Sequence, residues 1–151
     1  MSVNSTAGSE ISISAGTPAT FNEAGYEALT FTLVGEVTNL GEFGRENALV
    51  THNPVGDRGT VKFKGSFNEG SMALQLGLDE DDAGQTLMQE ANEALGDYSI
   101  KVETQAGNVY YFRAKVMSFK ISLSGVDDVT TASTTLEITT NSGVGVVKVL
   151  A

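Results

Sequence analysis

Carboxylates crowd into one short stretch of this chain. Asp79, Glu80, Asp81 and Asp82 are consecutive, Ala83 and Gly84 follow, and Glu90 lies six residues further on. A calcium loop needs side-chain oxygens at its first, third and fifth positions, glycine at the sixth and a bidentate glutamate at the twelfth. Asp79, Asp81, Gly84 and Glu90 would fill their places, but the fifth position is Ala83, which has no side-chain oxygen. The stripe of Leu87 and Ala91 also begins a helix inside the would-be loop. The same acids suit a helix start, with Asp81 or Asp82 as the cap and the others at the positive end of the dipole.

His52 is the only histidine and there is no cysteine, so neither a multi-histidine nor a thiolate metal site can be assembled. No strand-turn nucleophile motif surrounds any serine, and His52, beside Asn53 and Pro54, has the setting of an exposed loop residue. Glycoside hydrolysis needs two acids across an aromatic cleft; the chain has no tryptophan, and its seven Phe and four Tyr fall mostly in strand-core phase. Gly56-Asp57-Arg58-Gly59 lacks both the lysine and the spacing of a phosphate loop. Tyr110, Tyr111 and Phe112 stand beside Arg113 and Lys115, a mixture that can stack bases. Alternation, however, puts Tyr110 and Phe112 in the buried phase and leaves Tyr111 alone on the polar face. The expectation is no catalytic residue, no metal and no cofactor, which points to a structural role.

A length of 151 residues allows one domain with a real core. Without cysteine, stability has to come from packing or assembly. A net charge of −10 opposes tight binding of a phosphate backbone, though not a surface that DNA slides past. The signs are unevenly placed: Lys62, Lys64, Lys101, Arg113, Lys115 and Lys120 lie on strand patterns, while Glu42, Glu46, Asp57 and residues 79–82 lie in connections. No stretch reads as a signal peptide or a membrane span, so no membrane is expected and synthesis in an aqueous, cytoplasmic compartment is.

The elements that must carry these residues are mainly strands, as 17 glycines and the runs of Ser and Thr favour. Residues 1–9 are small and polar and read as a flexible arm. Residues 10–15 form a short strand and 29–38 a second, with Gly35 as a bulge. Residues 61–67 and 72–78 read as a hairpin turning at Glu69-Gly70-Ser71. Residues 83–95 carry Leu87, Ala91 and Leu95 every four residues, widened by Met88 and Ala94: an amphipathic helix ended by a left-handed Gly96. Residues 98–104 and 109–123 make another hairpin, and strands over 134–140 and 144–151 close the chain, the latter docked. The predicted class is mainly β, a β-sandwich or partly rolled antiparallel barrel with one short flanking α-helix.

Two places call for a partner. Residues 40–59 lose periodicity and gather turn formers, yet they carry Leu40, Phe43, Leu49, Val50 and Val55 around His52. A solvated linker has little use for such residues; they fit either a loop that orders against a partner or a locally packed Ω-loop. In the strand over 109–123, Tyr110, Phe112, Ala114 and Val116 keep one phase, while Met117, Phe119, Ile121 and Leu123 keep the other. A strand with one buried face cannot change phase. Either a bulge sits near Val116 and Met117, or the second half leaves its own core and is buried against another subunit.

From residue 82 onward the chain resembles the major tail-tube protein of long-tailed, lambda-like bacteriophages, relatives of contractile-tail and type VI secretion tube proteins. The likeness lies in Ala83-Gly84-Gln85-Thr86-Leu87-Met88 opening a helix, then Asp97-Tyr98-Ser99-Ile100-Lys101-Val102. Gly107-Asn108-Val109-Tyr110-Tyr111-Phe112-Arg113-Ala114-Lys115-Val116 and Thr134-Thr135-Leu136-Glu137-Ile138-Thr139 complete it. The resemblance implies one tail-tube domain over 1–151, without the immunoglobulin-like appendage of some relatives, and a subunit of hexameric rings stacked into a conduit for DNA. It implies a virion-tail location after synthesis in the bacterial host, and contact with tape-measure, tail-tip and terminator proteins. Residues 40–59 become an inter-ring stacking element. Leu40, Phe43, Leu49, Val50, His52, Val55, Met117, Phe119, Ile121 and Leu123 become the expected subunit interface. Strand lysines facing the bore would make it basic, so Glu42, Glu46 and Asp57 are expected to line it or the lysines to be paired. The alternative is a non-catalytic β-sandwich that binds a ligand or decorates a virion.

Overall fold

The computed structural model describes residues 3–151. The first two positions of the expected arm lie outside the described residues; its last four residues turn tightly, with Ser9 N–H donating to Thr6 C=O at 3.0 Å.

One antiparallel sheet dominates. Its order is β2 (Thr32–Leu33), β1 (Glu10–Ser14), β7 (Tyr98–Glu103), β8 (Val109–Ser122), β9 (Thr131–Thr139), β6 (Ser71–Gly77) and β3 (Val37–Asn39). A short β10 (Val147–Val149) continues the line of β9 along the start of β8, pairing Val147 with Tyr111. The sheet curls into a half-barrel, so the mainly β, partly rolled architecture expected from the sequence is present. Its core face carries Ile11, Ile13, Ile100, Phe112, Leu74 and Leu136, each almost wholly buried. Full burial of one such side chain contributes about 1.5–3 kcal/mol.

Helix α2 (Ala83–Glu93) closes this core with Met88 and Ala91. Asp82 caps it, its carboxylate accepting from Gln85 N–H at 2.9 Å and from Gly35 N–H at 3.1 Å. The helix ends earlier than expected. Ala94 is extended, Gly96 is not left-handed and Leu95 is exposed, because the chain must straighten to enter β7.

Three other expectations fail for tertiary reasons. The strand over 29–38 is broken: β2 joins β1 at one edge of the sheet and β3 joins β6 at the other. Glu36 makes that crossing at φ 61°, and Gly35 serves the Asp82 cap rather than a bulge. The hairpin over 61–78 does not exist, since β5 (Val61–Asn68) pairs with β4 (Glu46–His52) in a separate two-stranded sheet. Residues 40–59, read as lacking an element, therefore contain a strand. A short second helix, α1 (Glu23–Glu27), was also not foreseen; five residues are too few to show a stripe.

Tyr111 is not alone on a polar face. Tyr26 of α1 stacks on it with ring centroids 5.3 Å apart, Phe31 tilts against it at 5.8 Å, and the ring is buried. Beside it Arg113 is buried as well, donating to the carbonyls of Gly16 at 2.9 Å and Asp97 at 3.0 Å and to Ser99 Oγ at 2.7 Å. The segment between β1 and β2 thus covers the second face of β7 and β8, and burial raises the ionisation of Tyr26 and Tyr111 above the usual tyrosine range.

Candidate functional site

The change of phase in β8 is a bulge. Val116 faces Leu136 and Ser118 faces Thr135, so Met117 is one extra residue with no opposite number. Thr134 Oγ1 donates to Ser118 C=O at 2.7 Å beside it. Directly paired residues share a face of a sheet. Phe119 pairs with Thr134 and Ile121 with Ala132, residues that alternate with Leu136 on the core side. The bulge thus keeps the apolar set on the same face.

The strand also outruns its cover. β7 reaches only as far as Ala114, so residues 115–122 have β9 on one side and, among the described residues, no strand on the other. Phe119 still packs partly on the core, but Ile121 is 50% exposed, Met117 59% and Leu123 68%. Val126 and Val129, in the following loop, are exposed too. This end of the sheet combines an open strand edge with uncovered apolar side chains, the two features that invite another chain.

The β4–β5 ribbon is the second such surface. Val50 pairs with Phe63 and His52 with Val61, giving one apolar face, while the register shift between Asn47 and Leu49 puts Phe67, opposite Asn47, on the other side. Thr51 with Lys62 and Leu49 with Lys64 form the other, basic face. No residue of either strand is buried, and Phe63 is 55% exposed. Val55, fully exposed, sits in the tip loop. A two-stranded ribbon with no covered face gains almost nothing from burial within its own subunit.

The remaining expected interface residues lie elsewhere. Phe43 packs against Tyr110 at 5.4 Å and Phe112 at 5.6 Å, and Leu40 also leans on the core. Among the three acids, Glu42 lies in the approach to the ribbon, Glu46 opens β4 and Asp57 folds the tip, its carboxylate accepting from Gly59 N–H at 3.1 Å. They are strung along the ribbon rather than gathered.

The strand cations separate into two groups. Lys115 pairs with Asp97, Lys101 approaches Glu103 at 4.0 Å, and Arg113 is buried, whereas Lys62 and Lys64 have no ion pair among the described residues. The acidic run is occupied locally: Asp79 Oδ1 accepts from Asp81 N–H at 3.0 Å and Asp82 caps α2.

Sequence reasoning missed two polar anchors. Gln85 is fully buried; its amide donates to the carbonyls of Gly35 at 3.0 Å and Gly77 at 2.9 Å and accepts from Asp79 N–H at 3.0 Å. Glu69 is buried against Gly145 and pairs with Arg45 at 2.7 Å. Neither carries a sequence signal, since their partners lie on other segments.

No family model and no curated protein matches the chain. Solved structures do share its architecture. A chain of the anti-feeding prophage baseplate, determined by cryo-electron microscopy with six-fold symmetrisation, has a TM-score of 0.68 at 9% identity, covering 99% of this chain and 98% of that one. A chain of the SPP1 tail tube, a hybrid of solid-state NMR and cryo-electron microscopy, has a TM-score of 0.63 at 15% identity, covering 95% of this chain and 77% of that one. The fold is that of tail-tube and baseplate chains. The likeness read from short motifs is thus carried by the whole architecture, at identities that fix the fold alone.

Proposed function

We propose that this chain is a structural, non-catalytic subunit of a bacteriophage tail tube. Copies associate into rings, six to a ring, and the rings stack into a conduit through which DNA passes without being held. The observation that carries this reading is the pair of uncovered surfaces on one small fold: the open far half of β8 with Met117, Ile121 and Leu123, and the amphipathic ribbon with Val50 and Phe63. The first suits a neighbour in the same ring and the second the ring above or below. Leu49, His52 and Val55 belong to the stacking surface, with Leu40, Phe43 and Phe119 supporting the two surfaces from inside the subunit. The net charge of −10 suits a bore that must not retain DNA, with Glu42, Glu46 and Asp57 as the acids on that path. Tape-measure, tail-tip and terminator proteins are the expected partners, and the virion tail the expected location.

Electron microscopy of the purified protein over a range of concentrations, alone and with a tail initiator, tests the reading. Rings or tubes are expected. A protein that stays monomeric under all these conditions would overturn it.

A further inference from the structure

We propose that the basic face of the β4–β5 ribbon docks on an acidic pole of a second copy of this chain, so that copies add head to tail. The ribbon and the pole lie at opposite ends of the same strands. At the ribbon root Ser71 of β6 faces Glu137 of β9, and Ile138 N–H donates to Gly70 C=O at 3.0 Å. At the far end Gly77 faces Thr131, and Leu78 N–H donates to Thr130 C=O at 3.0 Å. The seven residues of β6 hold the two ends about 20 Å apart.

Two loops leave that far end side by side: 78–82, with Asp79, Glu80 and Asp81, and 123–130, with Asp127 and Asp128. No Lys or Arg occurs over 65–100 or 121–147, and none of these acids has an ion pair among the described residues. Asp79 accepts from Asp81 N–H at 3.0 Å and Asp128 from Gly125 N–H at 3.1 Å, bonds that shape the loops and leave their charge unneutralised. Val126 and Val129, flanking Asp127 and Asp128, are exposed apolar residues on the same pole.

The ribbon offers the complement. Lys62, opposite Thr51, and Lys64, opposite Leu49, share one face, and Arg58 lies in the tip between the strands. None of these three cations has an ion pair among the described residues, so the ribbon does not rest on its own subunit's acids. Leu49 is exposed beside Lys64. Each surface thus sets apolar side chains among charges of one sign, positive on the ribbon and negative on the pole. A net charge of −10 makes copies repel one another, and a positive arm meeting the cation-free pole selects one orientation of approach.

Because the two surfaces differ, the contact is heterologous. One copy's ribbon meets the next copy's pole and leaves its own pole free for a third, which gives open-ended growth. A two-fold contact would instead set ribbon against ribbon, like charge on like. The place of this contact in a tube rests on the stacking reading above, whereas the contact itself is measurable between subunits.

The chain has no cysteine, so cross-links form only where cysteines are introduced. Thr51→Cys, on the basic face, and Val126→Cys, on the pole, are made in separate chains and mixed with a short bis-maleimide. The mixture should give a ribbon-to-pole dimer that neither variant gives alone. Raising the salt from about 0.1 M to about 1 M, which shortens the screening length from about 10 Å to about 3 Å, should remove most of it. Lys62→Glu with Lys64→Glu should abolish the link, and adding Asp127→Lys with Asp128→Lys to the same chains should restore part of it, since the signs are then exchanged. A reversed variant that melts early is replaced by Lys62→Gln with Lys64→Gln, expected to weaken the link in the same direction. A main product of ribbon–ribbon or pole–pole links, a link indifferent to salt, or charge reversal without effect overturns the proposal. Electron microscopy of the same samples separates the two readings. Tubes that grow without the ribbon-to-pole link remove this contact alone, the link without rings or tubes removes the tube reading alone, and the absence of both removes both.

Discussion

Phe119 stands directly opposite Thr134 in the β8–β9 ladder, on the core side of the sheet. Three residues earlier Val116 faces Leu136 on that same side. Only the extra residue Met117 makes an odd spacing compatible with one face. Removing Met117 leaves Val116 and Phe119 two positions apart, so a regular ladder keeps Phe119 opposite Thr134 and Ile121 opposite Ala132 on the core side. The deletion is expected to lower stability by no more than about 1 kcal/mol, the range of an ordinary single change, read in urea or thermal melts against the parent; a loss of several kcal/mol would show that the bulge itself is needed.

Ile121 and Met117 are exposed, whereas Phe119 is partly used by the subunit's own core. Ile121→Asp and Met117→Asp should therefore change stability by no more than about 0.5 kcal/mol, the usual range for a surface position. Phe119→Asp should cost clearly more. If the far half of β8 is an assembly surface, the first two variants fold and stay monomeric in size exclusion at concentrations where the parent assembles. Assembly at parental levels would remove β8 from the interface.

Excising 47–67 and bridging Glu46 to Asn68 with a short glycine turn removes the ribbon without touching any strand pair of the main sheet. The shortened protein should remain folded, with a melting temperature close to that of the parent, and should fail to form stacked tubes. A collapse of the fold would show that the ribbon stabilises the body, against its complete exposure.

Gln85 lies at a buried position that hydrophobicity alone would assign to leucine. Its amide satisfies Gly35 C=O, Gly77 C=O and Asp79 N–H. Gln85→Leu leaves three buried groups unpaired, each worth about 1–3 kcal/mol when stranded. A loss of about 3 kcal/mol is expected, about 6–12 °C in melting temperature for a chain of this size. A stabilised variant would contradict the assignment.

Tyr26 and Tyr111 stack in a buried pair, and desolvation is the main cause raising both hydroxyls above the ordinary value. The unfolded chain therefore releases these protons at lower pH than the native one. Their contribution is complete below the ordinary tyrosine range, about pH 10, and is lost as pH rises through the higher native values. Urea midpoints should be flat from neutral pH up to that range as far as these groups are concerned, then fall. Tyr26→Phe with Tyr111→Phe should flatten the fall.

Local periodicity carried β1, β6, α2, β7, β8 and β9 into view, because each buries one face and shows it in two- or four-residue spacing; β5 alternates too, at Val61 and Phe63, although it buries neither face. The Asp82 cap and the irregularity at Val116 and Met117 were legible for the same reason. β4 was not, since its apolar residues Ala48, Leu49 and Val50 are consecutive and give no alternation to read. The partners of Arg113, Gln85 and Glu69 were hidden because they come from segments far away in sequence.

By itself, then, the sequence determined a mainly β chain with one capped helix, a net charge of −10 and no site chemistry of a recognisable kind. Which strands pair was decided only by the tertiary structure. β5 and β6, adjacent in sequence, go to different sheets: β5 pairs with β4 and β6 with β9 and β3, the chain turning between them at Gly70, φ +84°, beside the Arg45–Glu69 pair. Backbone alternation is a local property, but the choice of a strand's neighbour depends on every other segment that competes for the same edge.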